Sequence, residues 1–543
     1  MNRKTIAVVF LCSLVSISCF AAFGYSHYGG TDYQYHLSSW LDYTAAWKSG
    51  VAYPAWSAAA NLGLGEPRFY FYPPISFWFG SVLSLLLPLK LVPAVFVWLS
   101  FCLAGFSMYL LSGLFLPPRG RLQVSALYCV SYYLLITASK RFALAELLAN
   151  AFLPVVCYFF VKILVKQRRS ACIGLAIAMA LAWQTDVPAA MNFAYTLFIA
   201  SCIYCLQTRR VRPFLLHIGA QVLSLALSGW YFVPAYMATK YMSSTSSLPY
   251  DFRPLFVRTA TAFLDETLSA FAVIAAALLI FCLASLRKSE EDTDGVRLLI
   301  YLGLVAFFFQ LPFTRLLWEH LPGLRIVGFP FRFQTFFYVA LPIAVFSLKQ
   351  ARTLRTFVFV LSGTFAAFPF CTCLYWAHAH GSFKPMSEYV RSLDGGSMGM
   401  TEYVPKGTGA VVVRTPDQQP RVGQVSSSDP GCSADVKSWL PEDREIDTTA
   451  QTPCTYQLRL YYFPFWHLTI DGKPLAASFG KTGLLNFSVP AGAHHVSARF
   501  VRPVEPQLLG EAISFVTLLF LATLYRHEKH NNRKMTPVMA LSN

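Results

Sequence analysis

Charge is what this sequence has least of. Asp, Glu, Lys and Arg make up only 13% of its 543 residues, about half the share a soluble globular chain carries. Hydrophobic residues make up 55%. That balance excludes a disordered chain, which is poor in apolar residues. It also excludes the soluble protein of about three or four domains that length alone would suggest. Zinc-type spacing is missing: no paired CxxC and no Cys/His array occurs. The lone CxxC, Cys202-Ile203-Tyr204-Cys205, lies inside an apolar run, without a second pair or a thioredoxin-like context. No repeat of about 20–50 residues recurs.

What is abundant is long apolar sequence. Phe214–Ala238, Thr267–Leu286 and Thr356–Trp376 meet or approach the ~20 residues a bilayer span requires. The class is a polytopic α-helical membrane protein, not a β-barrel porin. Acidic residues are few, 27 against 44 Lys and Arg, for a net charge of +17. The placement of that surplus argues against nucleic acid as a partner. It sits in short connectors: Arg3 and Lys4; Lys166, Arg168 and Arg169; Arg209, Arg210 and Arg212; Arg287 and Lys288; Lys349, Arg352 and Arg355; Arg526, Lys529, Arg533 and Lys534. Basic short connectors mark the cytoplasmic side. The N-terminus reads as an uncleaved signal-anchor, Ile6–Phe23 after Arg3-Lys4.

Counting back from a cytoplasmic tail (residues 527–543) places the last span at 507–526, with its apolar heart at Glu511–Tyr525, and the polar segment 378–506 outside. Spans are expected near 142–165, 170–185, 188–206, 214–238, 267–286, 297–313, 334–348 and 356–376, about 12 in all, and residues 1–377 form one transmembrane domain. Between residues 75 and 165 one segment must be short, broken or re-entrant to keep both termini inside. Outer connectors are then Lys140–Arg141, Gln184–Pro188, Lys240–Asp265 and Arg315–Phe333, plus the first outer loop, Tyr25–Pro74.

The polar segment has strand grammar. Tyr456–Phe463, His467–Ile470, Gly483–Val489 and His495–Val501 are punctuated by Asp471-Gly472-Lys473 and Pro490-Ala491-Gly492, turn signals for a small antiparallel β-sandwich. Most of the 13 cysteines are in apolar runs, but Cys432 and Cys454 fall in this segment. In an oxidising compartment they are candidates for a disulfide.

The sharpest chemistry lies in the first outer loop: Thr31-Asp32-Tyr33-Gln34-Tyr35-His36, Asp42, the run Trp56–Pro67 with Glu66, and Phe71–Pro74. Asp32 and His36 are four apart and share a helix face. Packing of interfacial aromatics is the competing explanation for this loop. These runs, with Arg141-Phe142-Ala143-Leu144-Ala145-Glu146 and Pro154, Leu321–Arg325, Phe329–Phe333, and Tyr461–Trp466 through His494-His495, resemble the GT-C superfamily of membrane glycosyltransferases. More narrowly they resemble bacterial membrane proteins labelled 6-pyruvoyl-tetrahydropterin synthase-related, kin to the YfhO-type proteins, although no pterin-synthase zinc site can be read here.

The resemblance implies a GT-C-like helical domain with a small extracytoplasmic β-domain before the last helix, in a bacterial inner membrane. It implies transfer of a sugar from a polyprenyl-phosphate donor to a cell-envelope glycan, lipid or protein. Asp32 matches the family's general base, with His36 and Glu146 as further catalytic candidates. Arg332, Arg141 and Arg325 are candidates for the lipid phosphate, since Arg meets phosphate with a forked pair of bonds. Asp42, Trp56 and Glu66 are substrate-binding candidates. Asp32, Asp42 and Glu66 also offer oxygens to a divalent metal, which no spacing demands, and no cofactor is otherwise implied. Snorkelling explains Arg332 equally well, and Glu146 and Arg141 have a structural pairing as the alternative. Asp186 stands where the subgroup often has His, so helix capping is its expected job. Two further function classes stay open: a lipid or polysaccharide transporter, and a catalytically silent assembly or regulatory protein on the same scaffold.

Overall fold

A computed structural model describes residues 3–17, 32–243, 256, 263–287, 293–349, 351–380, 390–391, 396–413, 415–418, 423–427 and 429–539. The start of the first outer loop, residues 25–31, and most of the outer connector 240–265 lie outside the described residues.

The chain is mostly helical with a C-terminal β-domain. Among the described residues six helices are long and apolar enough to cross a membrane: Leu89–Ser112, Pro118–Arg141, Leu144–Leu164, Val187–Thr208, Leu268–Arg287 and Val504–Lys529. The number rises to 8 if two bent pairs each form one span. One pair bends by 68° between Val211–Leu227 and Gly229–Tyr241, the other by 78° between Asp294–Phe308 and Pro312–His320, where Pro312 cannot continue a helix. Ile6–Ile17, Pro74–Leu86 and Ala171–Trp183 are apolar but shorter. This is the build of a multi-pass membrane protein, with 6 to 8 such spans among the described residues against the 12 expected along the sequence.

The irregular segment expected between residues 75 and 165 takes two forms. Pro74–Leu86 is only 13 residues long. Pro118–Arg141 is interrupted near Ser131 and ends in a π-helical turn, Thr137–Arg141, capped by Phe142 in a left-handed conformation (φ 55°). A π-turn followed by a bulky residue at positive φ is strained backbone of the kind concentrated at functional sites. Here it separates Arg141 from the next helix and turns its backbone toward the first outer loop.

Nine described strands form the β-domain: β1 (Val425–Ser427), β2 (Cys432–Leu440), β3 (Asp443–Ala450), β4 (Cys454–Tyr461), β5 (Trp466–Ile470), β6 (Lys473–Leu475), β7 (Ser478–Phe479), β8 (Leu484–Val489) and β9 (Gly492–Phe500). They make two antiparallel sheets, ordered β1-β4-β8-β7 and β2-β3-β9-β5-β6. Alternate residues of both sheets, among them Tyr456, Leu458, Phe487, Ile446, Val496 and Leu468, share one buried core, as in a sandwich. The β5–β6 hairpin pairs Ile470 with Lys473. Its two-residue turn, Asp471-Gly472, takes positive φ at both positions, which is why Asp-Gly suits it. A disulfide joins Cys432 of β2 to Cys454 of β4, one strand from each sheet.

The helix Val504–Met539 follows the β-domain and rests on the helix Gly229–Ala238. Gly229 and Gly510 meet backbone to backbone, an approach only small residues permit between helices. The opposite face, including Leu508, Leu509, Phe515 and Leu519, is exposed, as a lipid-facing surface should be.

Candidate functional site

Two buried charge clusters lie at the junction of the outer loops with the helices. The first forms around Glu146. This carboxylate accepts from Arg141 through both oxygens, Nη1 to Oε1 at 3.0 Å and Nη2 to Oε2 at 2.7 Å. Arg332 Nε donates to the same Oε2 at 3.0 Å, and the Tyr133 hydroxyl donates to Oε1. Five residues apart on a continuous helix, Arg141 and Glu146 would be poorly matched. The break at Phe142 is what lets the guanidinium fork onto the carboxylate.

Arg332 comes from the far side. Gly328 (φ 74°) ends the short helix Leu324–Val327, a conformation glycine adopts freely. The chain then turns through Phe329-Pro330-Phe331 into Arg332. Its carbonyl accepts from Asn192 Nδ2 at 2.9 Å, tying the turn to the helix Val187–Thr208. The Arg332 guanidinium lies 5.0 Å from the Phe329 ring and that of Arg141 5.2 Å from the Phe331 ring. Two guanidiniums on aromatic faces share one glutamate.

Asp32 adjoins this cluster. Its backbone N–H donates to the Arg141 carbonyl at 3.1 Å, and it precedes the helix Tyr33–Lys48 without capping it through its side chain. Among the described residues its carboxylate makes no hydrogen bond, while Arg141 and Arg332 act on it electrostatically and burial raises its pKa. Asp186 faces the same charges. It caps the helix Val187–Thr208, accepting from Ala189 N–H at 2.7 Å. Burial, opposed by Arg332, pushes its carboxyl up to about 6. Capping was expected of Asp186; its place beside Arg332 was not, nor was the hydroxyl of Tyr133. The Tyr72 phenol is pushed well up, chiefly by burial, with Asp186 and Asp32 adding to the rise and Arg332 opposing it.

His36 has a different task from the one its spacing suggested. Its Nε2 accepts from Leu144 N–H at 3.3 Å, fixing the loop helix to the start of Leu144–Leu164. Burial lowers its pKa to about 3, so the ring is neutral and is spent on positioning. Arg325 is exposed on its short helix, and no ion pair among the described residues joins it to Glu146.

The second cluster absorbs the remaining loop candidates. Glu66 Oε1 accepts from Arg68 Nε at 2.7 Å. Its Oε2 accepts from Asn61 Nδ2 and from the backbone of Met400, both at 3.0 Å. Arg68 also donates to Ser39 Oγ at 2.8 Å and to the Met398 carbonyl at 3.0 Å. Asp42 Oδ2 accepts from Ser57 Oγ at 2.6 Å and Ala59 N–H at 3.1 Å. Trp56 is fully buried against Trp466, Phe463 and Phe500 of the β-domain. Glu442, between β2 and β3, accepts from the backbone N–H groups of Ala55 and Trp56. Asp42, Trp56 and Glu66 thus fasten the first outer loop to itself, to the segment at Met400 and to the β-domain. Their separation from Asp32 breaks up the proposed oxygen set, and among the described residues no three His, Cys, Asp or Glu are disposed to hold a metal ion.

Of the aromatics Tyr461–Trp466, Tyr461, Phe463, Phe465 and Trp466 are buried in the β-domain core, unsuited to stacking on a ligand. His494 and His495 lie on β9, in the sheet that also holds Trp466, and the exposed His495 pairs with Asp447 and Glu445 at 2.7 and 2.8 Å.

No family model and no curated protein matches this chain. Among solved structures it is similar to the arabinofuranosyltransferase AftD from Mycobacteria, at 16% identity and a TM-score of 0.44 over 69% of this chain and 27% of that one. It is also similar to an oligosaccharyltransferase from Archaeoglobus fulgidus, at 11% identity and a TM-score of 0.41 over 75% of this chain and 57% of the other. The chain spans about a quarter of the first and little over half of the second.

Proposed function

We propose that this protein is a membrane glycosyltransferase of GT-C type that moves a sugar from a polyprenyl-phosphate donor to a cell-envelope acceptor on the extracytoplasmic face of a bacterial inner membrane. The observation that carries the proposal is the pair of guanidiniums, Arg141 and Arg332, held on Glu146 beside the carboxylate of Asp32.

Each part has a role in the reaction. As the bond between the anomeric carbon and the lipid phosphate breaks, negative charge grows on the phosphate, and pre-oriented cations stabilise it. Arg332, with its Nε on Glu146 and its Nη1 on the Val327 carbonyl, is the first phosphate ligand and Arg141 the second. Glu146 holds both guanidiniums in place, a positioning part rather than a proton-transfer part. Asp32 accepts the acceptor hydroxyl's proton as that oxygen attacks the anomeric carbon. Burial, which raises its pKa, makes it a better base than an exposed aspartate. The Cys432–Cys454 bond favours an oxidising compartment for the β-domain.

The test is consumption of a lipid-linked sugar by the purified protein in reconstituted membranes, with D32N beside it. Turnover by wild type, lost in D32N at unchanged expression and folding, supports the proposal. Full turnover by D32N overturns the base assignment. No turnover by wild type, across a panel of polyprenyl-phosphate sugars, overturns the enzyme reading in favour of a silent scaffold.

A further inference from the structure

The segment ahead of the β-sandwich, residues 396–406, runs as a strap between the two outer loops. On one side it is sewn to the first loop. Ser397 N–H donates to the Ala59 carbonyl at 2.7 Å, and Leu62 N–H donates back to the Ser397 carbonyl at 2.8 Å. Arg68, fully buried, then holds the Met398 carbonyl and Glu66 the Met400 N–H. On the other side Ser243 N–H donates to the Val404 carbonyl and Lys406 N–H to the Tyr241 carbonyl, both at 2.8 Å. Between the pins at Met400 and Val404 hang three residues, Thr401, Glu402 and Tyr403, in a single tight turn.

That turn overlooks Asp32. Glu402 is close enough to raise the Asp32 carboxyl, and Tyr403 is coupled to the phenols of Tyr35 and Tyr72. The Tyr35 and Tyr72 rings stand 5.5 Å apart. Glu402 and Tyr403 remain half-exposed, and Glu402 accepts only from the neighbouring Thr401 hydroxyl, at 3.2 Å, among the described residues. Spending a buried Glu66–Arg68 pair on two backbone groups of a linker gives that linker one fixed position.

We infer that the turn Thr401–Tyr403 is a wall of the acceptor subsite, with Glu402 and Tyr403 binding hydroxyl groups of a carbohydrate. The charge pattern selects this occupant. A carboxylate repels the lipid phosphate that the arginines attract, but accepts hydrogen bonds from sugar hydroxyls. A phenol offers both a ring face and a hydroxyl, suiting the apolar and polar sides of a sugar. The word "acceptor" rests on the transferase reading; carbohydrate binding by the strap does not.

The experiment measures binding rather than turnover. The full-length protein in nanodiscs is applied to an array of cell-envelope oligosaccharides, with E402Q, Y403F and, as an exposed control on β9, H495A. Wild type and H495A should retain one glycan class, and E402Q or Y403F should weaken it by about tenfold, the loss expected for one hydrogen bond to a charged or phenolic group. Both substitutions keep side-chain volume at half-exposed positions, and an unchanged melting temperature confirms the fold. Absence of any glycan binding by wild type, or undiminished binding by both strap variants, overturns the inference. Glycan binding by a protein that consumes no lipid-linked sugar would keep the inference and remove the transfer reaction.

Discussion

The two buried charge clusters are built from the same residue types and end up doing opposite things. Around Glu66, one carboxylate meets one guanidinium, and every nitrogen of Arg68 has a protein acceptor: Glu66, Ser39 and Met398. The group is neutral and closed. Around Glu146, one carboxylate serves two guanidiniums, with two carboxyls of raised pKa, Asp32 and Asp186, beside them. A buried charge pair stabilises little by itself, and breaking it leaves an unpaired charge in a poor solvent. A closed pair therefore reads as architecture. Two guanidiniums on one carboxylate, held by a strained turn, are the pair proposed to meet the lipid phosphate.

The largest effect should come from opening the closed cluster. R68A leaves Glu66 buried and unpaired, and should lower stability by about 3–5 kcal/mol. Thermal melting in detergent should show it, and the combined E66L/R68M variant should melt above R68A. Equal melting of R68A and wild type would erase the contrast between the clusters. Next, R332A should lower kcat/KM for a lipid-linked sugar by about 10²–10³, as the loss of one transition-state donor does. Its melting temperature should move much less than that of R68A, since Arg141 still compensates Glu146. A stability loss matching that of R68A would place Arg332 with the architecture.

A smaller effect is expected at Asp186. Its folded pKa of about 6 lies above the ~3.9 of an unfolded aspartate. Between those values the folded protein holds a proton that the unfolded chain has released, so Asp186 lowers stability as pH rises through about 4 to 6. D186N, which still caps the helix, should flatten melting temperature over that window; a wild-type slope in D186N would contradict the assignment. The smallest effect belongs to β9. His495, raised by Asp447 and Glu445, adds stability at low pH that fades as pH rises through its folded value. Exposed pairs contribute little, so H495A should melt within about a degree or two of wild type.

Much of the scaffold was legible in sequence because periodicity and turn chemistry are local. Asp471-Gly472 announced its hairpin, and the break between residues 75 and 165 followed from the parity of basic connectors. Glu146 stood out singly as a rare charge in an apolar run, and Asp32 and Arg332 through the family resemblance. Their assembly was not readable, because it depends on a π-turn and a left-handed Phe142 that no propensity reveals. The partners of Trp56 and Glu66 were not readable either, since Glu442 and Met400 lie over 300 residues away (386 between Trp56 and Glu442, 334 between Glu66 and Met400). Arg68 was given no role from sequence, and Asp186 only that of a helix cap.

The account turns on whether the two guanidiniums held on Glu146, Arg141 and Arg332, are a phosphate seat. Native mass spectrometry of the purified protein with a polyprenyl monophosphate measures this without any assumption about sugar or acceptor. Binding by wild type and R325A, with about tenfold or greater loss in R332Q, is the predicted result. Equal retention of the lipid by R332Q and wild type would contradict it.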